Sequence, residues 1–223
     1  MDLNVKYIPY VLRKVPALEQ ELPLRTYIDD KKSYFFCKRA FDLLVSSIFI
    51  VLVLSWLLPI IALMIRLDSK GPVFFLQKRT GRGGKGFTCY KLRTMVLNQQ
   101  ADLWPAVEND NRITRLGLIL RKYNLDELPQ FFNVLMGSMS IVGPRPHMIF
   151  DCNRFSFEVP GYKLRNLLKP GITGLAQVKG FHGPAIDTRD ITLRYGWDAF
   201  YVRNANFLLD IRIIRRTVRL LFP

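Results

Sequence analysis

The chain has 223 residues, with 33 Lys or Arg against 18 Asp or Glu, so its formal net charge is +15. This length suits one domain plus a membrane element, and the basic balance suits nucleic acid, an anionic membrane face or a phosphorylated substrate. Three widely spaced cysteines without a CxxC pair argue against a disulfide frame or a zinc site, and two histidines exclude a His-rich metal centre.

Three parts are predicted along the chain. Residues 1–37 mix charges, prolines and aromatics without clear periodicity, which indicates an irregular or short-helical extension. Residues 38–68 form a membrane element, and residues 69–223 form the main folded domain. The N-terminus is polar and the apolar run begins too late for a cleavable signal peptide.

The membrane element contains an uncharged apolar run over residues 43–65. As a helix, it is long enough to span a hydrocarbon core of ~30 Å. Lys and Arg flank it on both sides, however, and such residues stay on the cytoplasmic side. Pro59 lacks an N–H and leaves the Ser55 carbonyl without its helical partner, which kinks the helix. We therefore predict a re-entrant helical hairpin, with a kinked spanning helix as the alternative.

Two strand-forming runs follow, over residues 73–79 and 87–94, and a glycine-rich segment over residues 80–86 separates them. This pattern predicts an antiparallel hairpin. A phosphate-binding loop and a nicotinamide-binding site are both poor readings of the glycines, because no GK[ST] ending and no parallel βαβ pattern accompany them. Lys91 and Arg93 project from one strand face, where they either hold a phosphate or are simply exposed.

Helical spacing of apolar residues continues over residues 112–122. Residues 124–129 have the polar cap, early acids and proline of a helix start. The buried face of the helix that begins there is predicted to consist of Phe131, Phe132, Leu135 and Met136.

Two proline-containing segments, residues 143–146 and 169–174, are predicted to be rigid loops. The chain ends in an amphipathic helix over residues 207–222, with arginines on one side and apolar residues on the other. Such a helix either lies on an anionic membrane surface or covers the core. Together these elements predict an α+β fold that is mostly helical, with a small antiparallel β-hairpin, an N-terminal re-entrant membrane helical hairpin and interfacial amphipathic helices.

The acid pair Asp126 and Glu127 is the strongest candidate for chemistry. An adjacent acid pair is usually a solvated surface or a helix cap. Here it follows several cations in a chain where acids are the minority, and a helix start favours ionised carboxylates. An ionised Asp can attack phosphorus, and a neighbouring acid can hold Mg²⁺. With Arg121 upstream and Arg145 between two prolines, the set is typical of phosphoryl transfer.

At these residues the chain resembles the bacterial sugar transferase family, the monotopic phosphoglycosyl transferases. The resemblance extends from about residue 38 to residue 216, with the motifs in the family's order. The segments that carry it are residues 38–42 (KRAFD), 67–75 (LDSKGPVFF), 90–95 (YKLRTM), 125–130 (LDELPQ), 143–146 (GPRP) and 169–174 (KPGITG).

The resemblance implies transfer of a phosphosugar from a UDP-sugar to a polyprenol phosphate, usually undecaprenyl phosphate, with release of UMP. It implies a monotopic protein of the bacterial inner membrane, a cytoplasmic catalytic domain over residues 69–223 and Mg²⁺ as cofactor. Asp126 would attack the phosphate nearest the sugar, and Glu127 would help bind Mg²⁺. Phosphate and nucleotide contacts would fall on Arg121, Arg145, Lys91 and Arg93, with His147 as a further candidate.

The chain departs from the family pattern at three places. The family breaks its membrane helix at an adjacent Ser-Pro, whereas Ser55 and Pro59 are separated here. Leu175 stands where Trp is frequent, and Asn124 where Ser or Thr is common. The chain resembles the minimal form of the family or a catalytic fragment of the longer form.

A second class of function is a noncatalytic basic module, anchored to the bilayer, that binds anionic lipid or nucleic acid. No nucleic-acid fold signature is visible, so the prediction is a partner set of UDP-sugar, polyprenol phosphate and membrane lipid, without nucleic acid. The sequence names neither the sugar nor the glycan pathway, and it leaves open whether the chain forms a homodimer.

Overall fold

The computed structural model of the chain describes residues 24–96, 110–181, 183 and 187–221. Residues 1–23 of the predicted extension lie outside this part. The described part is mostly helical, as predicted, and contains two small sheets, of which the antiparallel one was predicted. In chain order the elements are α1 (Leu24–Asp29), α2 (Lys32–Phe49), a π-helical turn (Ile50–Leu54), α3 (Ser55–Asp68), β1 (Phe74–Thr80), β2 (Gly86–Leu92), α4 (Arg115–Lys122), a 3₁₀ turn (Leu125–Glu127), α5 (Gln130–Met136), β3 (Ser140–Val142), α6 (Ile149–Glu158), a 3₁₀ segment (Tyr162–Leu167), β4 (Gly171–Thr173), α7 (Leu175–Val178), α8 (Thr188–Asn204) and α9 (Phe207–Leu221).

A continuous helical segment carries the apolar run. The π-helical turn joins α2 directly to α3, so helical backbone extends from Lys32 to Asp68. Of the helices in the described ranges, this is the one long and apolar enough to cross a membrane, and only 17% of its most apolar window is buried. It begins at Lys32 rather than at residue 38. No loop separates two legs, so the structure does not contain a hairpin of two helices joined by a turn.

The irregular part of this segment lies just before the residues at which the sequence predicts a break. Ser55 directly follows the π-helical turn, and its hydroxyl donates a hydrogen bond to the carbonyl of Val51 at 2.6 Å. Pro59 lies inside α3. A π-helical turn and a helical proline are both recognised causes of bending, because each interrupts the regular hydrogen-bond ladder. The π-helical turn therefore ends directly before Ser55, and Pro59 lies one turn further on, inside α3.

The start of the long segment is held by buried polar contacts. The Lys38 ammonium lies 2.7 Å from the Asp210 carboxylate on α9, and both side chains are at least nine-tenths buried. One turn further on, the Asp42 carboxylate accepts a hydrogen bond from the backbone N–H of Ile141 at 3.0 Å. These contacts join α2 to α9 and to β3.

The end of the segment contacts the same domain. The buried guanidinium of Arg93 donates to the carbonyl of Ile65 at 3.2 Å and to the carbonyl of Ser69 at 2.5 Å. Ile61 and Ile65 pack in one apolar cluster with Leu92 at the end of β2. The exposed apolar stretch of the helix is therefore bracketed by two attachments to one domain.

The predicted antiparallel hairpin is confirmed. Strands β1 and β2 pair from Phe74 opposite Leu92 to Thr80 opposite Gly86. The segment between them turns over Gly83 and Gly84, whose φ values of 66° and 74° favour glycine. The hairpin places Lys91 near its open end, next to the 3₁₀ turn that carries the acid pair.

A two-stranded parallel sheet was not predicted. β3 and β4 pair with Ser140 opposite Gly171 and Val142 opposite Thr173. The prediction of residues 169–174 as a loop is therefore wrong at its centre. A side chain at Gly171 would clash with the backbone of Gly143, so the close approach requires glycine.

The predicted buried face of α5 is also wrong in part. Phe131 and Phe132 are partly buried, but Leu135 and Met136 are exposed. The buried side chains of α5 are instead polar Gln130 and Asn133, together with Val134. Asn133 is satisfied there, because its amide oxygen accepts from the N–H of Tyr90 and its amide nitrogen donates to the carbonyl of Thr88. The apolar side of α5 thus faces away from the core.

The C-terminal amphipathic helix is present as α9. It buries Asp210 and Ile213 against the domain and exposes Leu208 and Leu220 together with its arginines. Asp210 accepts hydrogen bonds from the hydroxyls of Tyr34 at 3.0 Å and Tyr201 at 2.6 Å, in addition to its ion pair with Lys38. This buried acid is a polar link between α2 and α9.

Replacing Asp210 by Asn should destabilise the protein by about 3 kcal/mol or more, because the buried Lys38 ammonium would lose its counter-charge. Thermal unfolding in detergent micelles measures the effect. Lys38→Met combined with Asp210→Asn should recover part of the loss, since no charge is then left buried alone.

The matched control is Asp29→Asn, which removes an exposed ion pair with Lys32. That change should alter the free energy of unfolding by less than about 0.5 kcal/mol. Equal effects of the two Asp→Asn changes would contradict the importance of the buried pair.

Candidate active site

The acid pair lies in a short turn between α4 and α5. Asn124 has a φ of 55°, in the left-handed region that Asn tolerates better than most side chains. It lies between the end of α4 and the 3₁₀ turn Leu125–Glu127, and Pro129 directly precedes α5. The sequence feature read as a helix start is therefore a 3₁₀ turn just ahead of the helix, and it presents Asp126 and Glu127 towards the hairpin.

Glu127 is the best-held side chain of the site. Its Oε1 atom accepts from the Lys91 ammonium at 2.7 Å and from Nη2 of Arg145 at 2.9 Å, and its Oε2 atom accepts from Nη1 of Arg145 at 3.3 Å. Burial alone would raise the pKa of Glu127, but the charges and hydrogen bonds of Arg145 and Lys91 outweigh it and hold that pKa far below its usual range. Glu127 is therefore an ionised carboxylate at neutral pH.

Asp126 is in a different electrostatic situation. Burial raises the pKa of its carboxyl group, the neighbouring Glu127 charge raises it further, and Lys91 and Arg121 lower it in part. Within the described ranges, its carboxylate forms no ion pair shorter than 4 Å. The pKa values of the two adjacent acids thus shift in opposite directions. Glu127 is held by ion pairs with cations, whereas Asp126 forms no ion pair with the described residues.

The remaining predicted cations divide between the site and the end of α3. Arg121 lies near Asp126, and its Nε donates to the Thr94 hydroxyl at 2.8 Å. Arg93 instead points to the end of α3, where it donates to backbone carbonyls and to the Ser69 hydroxyl. The structure therefore brings Lys91, Arg121 and Arg145 to the acid pair and places Arg93 at the end of the long apolar segment.

Three successive carbonyls fix the loop that carries Arg145. The Arg145 carbonyl accepts from Arg165 at 2.7 Å, the Pro146 carbonyl from Arg79 at 2.7 Å, and the His147 carbonyl from the backbone N–H of Thr80 at 2.9 Å. With its main chain held at three points, the loop presents the Arg145 guanidinium in a defined place. Neither Arg79 nor Arg165 was predicted, because an arginine that binds backbone carbonyls leaves no sequence motif.

His147 lies behind this loop rather than beside the acid pair. Its Nδ1 atom is 2.6 Å from the Tyr162 hydroxyl, which also accepts a hydrogen bond from Arg165. Burial, followed by the charges of Arg165 and Arg194, holds the pKa of His147 well below its usual value. The imidazole is therefore neutral at pH 7 and part of a packed network.

A buried ion pair supports the same network. Arg165 lies 2.8 Å from the Asp198 carboxylate on α8, and both side chains are almost fully buried. A narrow cleft beside Arg145 is lined by Thr80, Gly81, His147, Arg165 and Asn166. Arg145 lines this cleft and also forms an ion pair with Glu127, so the cleft lies next to the acid pair.

The two adjacent acids are the candidate ligands for the Mg²⁺ that the family resemblance implies. Among the residues that the structure describes, no group of three or more His, Cys, Asp or Glu side chains converges on one point. Mg²⁺ is typically bound by one or two carboxylates together with water and substrate phosphates rather than by a full protein cage. Asp126 and Glu127 supply that number of hard oxygen ligands, beside cations suited to phosphate.

Comparison with known proteins identifies related sequences. Residues 33–223 match the family model described as bacterial sugar transferase. The UDP-N-acetylgalactosamine-undecaprenyl-phosphate N-acetylgalactosaminephosphotransferase of Aeromonas hydrophila is 43% identical over 187 residues, covering 83% of this chain and 44% of that protein. The UDP-glucose:undecaprenyl-phosphate glucose-1-phosphate transferase of Klebsiella pneumoniae is 43% identical over 182 residues, covering 81% and 39%.

A shorter relative matches over nearly its whole length. The exopolysaccharide production protein PSS of Rhizobium leguminosarum bv. phaseoli is 46% identical over 186 residues, covering 81% of this chain and 92% of that protein. The chain thus spans less than half of the first two relatives and almost all of the third.

The buried neutral histidine predicts a pH dependence of stability. An unfolded histidine gains a proton near pH 6.5, whereas folded His147 does not, so stability should fall as the pH drops from about 7 to about 5. The slope should approach ~1.4 kcal/mol per pH unit. Unfolding in detergent micelles at several pH values measures it, and His147→Gln should flatten the slope.

The matched control is His182→Gln, the same exchange at the second histidine of the chain. That variant should keep the slope, because His147 is still present. A slope that is lost in the control and kept in His147→Gln would show that the titration belongs elsewhere.

Proposed function

Because the chain belongs to the bacterial sugar transferase family, we propose that it transfers a phosphosugar from a UDP-sugar to a polyprenol phosphate, with undecaprenyl phosphate as the acceptor and UMP as the leaving group. Two of the relatives named for such reactions act on UDP-N-acetylgalactosamine and UDP-glucose. The product is a polyprenyl-diphosphate sugar, the first membrane-bound intermediate of a glycan.

One observation carries the proposal: Asp126 and Glu127 adjoin each other with opposite pKa shifts. A carboxylate held by Lys91 and Arg145 is a poor nucleophile, since its oxygens already accept charge-assisted hydrogen bonds. The neighbouring Asp126 has no such pairing and, once ionised, is the more basic of the two. This asymmetry favours Asp126 as the nucleophile and Glu127 as the fixed anion of the site.

The proposed reaction has two balanced displacements. A carboxylate oxygen of Asp126 attacks the phosphorus nearest the sugar, the bond from that phosphorus to the bridging oxygen breaks, and UMP leaves with the bonding electrons. The phosphate oxygen of the polyprenol phosphate then attacks the same phosphorus, and the carboxylate of Asp126 is released. The covalent aspartyl-phosphosugar intermediate explains how one acid serves both substrates in turn.

The cations around the pair would stabilise the transferring phosphoryl group. Arg121 lies near Asp126, and Arg145 is held in place by its fixed loop. When bound by Asp126 and Glu127, Mg²⁺ would neutralise part of the phosphate charge. Arg93 has no place in this set, because its guanidinium is engaged with the end of α3.

The membrane attachment proposed is monotopic. The long helical segment is exposed and apolar in its middle and attached at both ends to one domain, through Asp42 near its start and Ile65 near its end. A straight spanning helix would carry one end across the bilayer, away from that domain. The exposed apolar residues of α9, including Leu208 and Leu220, support a second, interfacial contact. The proposed location is the cytoplasmic face of the bacterial inner membrane.

The reaction is tested by UMP release from a panel of UDP-sugars with undecaprenyl phosphate and Mg²⁺. Asp126→Asn should lose at least about a thousandfold in rate, since an amide cannot act as the nucleophile. Asp30→Asn, the same exchange at an exposed acid outside the site, should keep wild-type turnover.

Labelled sugar phosphate should also remain bound to wild-type protein, and not to Asp126→Asn, when the acceptor is withheld. Full turnover by Asp126→Asn would overturn the assigned nucleophile. Absence of UMP release from every donor, with correctly inserted protein, would instead favour a noncatalytic membrane-bound module.

The topology is tested by cysteine labelling in oriented membrane vesicles. In a Cys37→Ser background, Lys32→Cys and Lys70→Cys place reporters at exposed positions at either end of the long segment. Both should react with a membrane-impermeant maleimide from the same side as Lys163→Cys, an exposed position in the catalytic domain. Labelling of the two ends from opposite sides would establish a spanning helix.

A further inference from the structure

A second group of cations converges at the opposite end of α5 from the acid pair. Gly137 ends α5 with a φ of 87°. Nη2 of Arg39 and the Nζ atom of Lys169 lie 3.3 Å and 3.5 Å from the point where a Cβ atom of Gly137 would stand. Because α5 has seven residues, its rise of about 10 Å separates this group from the turn that carries Asp126.

The cations of this group lack a matching acid. The partly buried Lys169 ammonium makes no hydrogen bond or ion pair with any residue that the structure describes. Burial lowers the pKa of Lys169, and the charges of Arg39 and Arg82 lower it further, while Asp42 offsets this only in part. Asp42 itself is turned to the backbone N–H of Ile141.

The two arginines have contacts that fix them without neutralising them. Arg39 donates to the carbonyls of Val134 at 2.6 Å and Leu135 at 2.9 Å, so it caps the end of α5. Arg82 lies over the ring of Phe35 at 5.4 Å. Both guanidiniums keep N–H groups that these contacts do not use. Cations gathered in this way repel one another unless an anion lies between them.

The cluster borders an exposed apolar surface. On the long segment, Phe36 and Leu44 are exposed on either side of Arg39, and Leu135 and Met136 are exposed directly before Gly137. Side chains at such an edge meet the head-group layer if the segment enters a bilayer. The anion best placed to reach them is therefore one carried by a lipid.

We propose that Arg39, Arg82 and Lys169 form a binding site for the phosphate group of a membrane lipid, separate from the reaction centre at Asp126. The inference rests on the proposal that the long helical segment enters a bilayer. Guanidinium forks and an ammonium group supply the donors that a phosphate prefers. Both an anionic phospholipid and polyprenol phosphate carry that group, and the experiment separates these two sources.

The test measures lipids retained by the full chain, by native mass spectrometry from detergent micelles. The probes are phosphatidylglycerol, undecaprenyl phosphate and diacylglycerol, the last of which lacks a phosphate. Lys169→Gln should weaken retention of a phosphate-bearing lipid roughly tenfold, the loss expected for one charge-assisted contact. Lys163→Gln makes the same charge change at an exposed position and should have less than about a twofold effect.

Preferential loss of phosphatidylglycerol assigns the site to a bilayer lipid, and preferential loss of undecaprenyl phosphate assigns it to the acceptor. Equal retention by wild type and Lys169→Gln overturns the proposal, as does an equal loss in Lys163→Gln or an equal loss of diacylglycerol. The measurement involves no turnover, so failure of the proposed enzymatic function would not affect the test of the lipid-binding site. Vesicle flotation checks the premise: protein that does not float would overturn both the membrane attachment and this site.

Discussion

The carboxylate of Glu127 is the contact on which the arrangement of the site depends. It accepts from Lys91 on β2 and from Arg145 on the loop after β3, so one side chain joins three segments that are distant in sequence. A buried carboxylate is costly unless it is paired and fully hydrogen-bonded, and two cations meet that condition here. The 3₁₀ turn, the hairpin and the loop are consequently fixed relative to one another, and the position of Asp126 follows from that of its neighbour.

A comparable constraint governs the long apolar segment. Its middle has few contacts with the domain, so polar attachments at its ends decide where it lies: the Lys38–Asp210 pair and Asp42 at the start, and Arg93 at the end. The guanidinium of Arg93 donates to the carbonyls of Ile65 and Ser69 at the end of α3, where few backbone N–H groups remain to pair with them. The residue that the sequence associates with phosphate therefore contributes by holding the membrane element against the hairpin that carries Lys91.

Local patterns predicted the hairpin and α9, because a glycine-rich turn between strand formers and a helical spacing of arginines are both visible within one element. They did not predict β3 and β4, which have three residues each and depend on the close approach of Gly143 and Gly171. The spacing of apolar residues in α5 predicts an apolar face but not whether that face packs against the core. The prediction that Leu135 and Met136 are buried is therefore wrong. The family resemblance assigned Lys91 and Arg145 to the substrate phosphate, and their meeting at Glu127 was not predicted, since no local pattern joins residues so far apart.

The opposite pKa shifts of the two acids follow from the difference in their pairing. Both carboxylates are withdrawn from water, which by itself raises the pKa of each. For Glu127, the paired side chains of Lys91 and Arg145 reverse this effect. Asp126 has no such pairing, so its pKa is lowered only by the more distant charges of nearby cations and is raised by the charge of Glu127. A nucleophile benefits from a basic, unpaired oxygen, and a charge that positions cations benefits from being permanently ionised. The turn therefore distinguishes two chemically similar residues by giving the salt bridges to Glu127 alone, and this difference in pairing supports their two proposed roles.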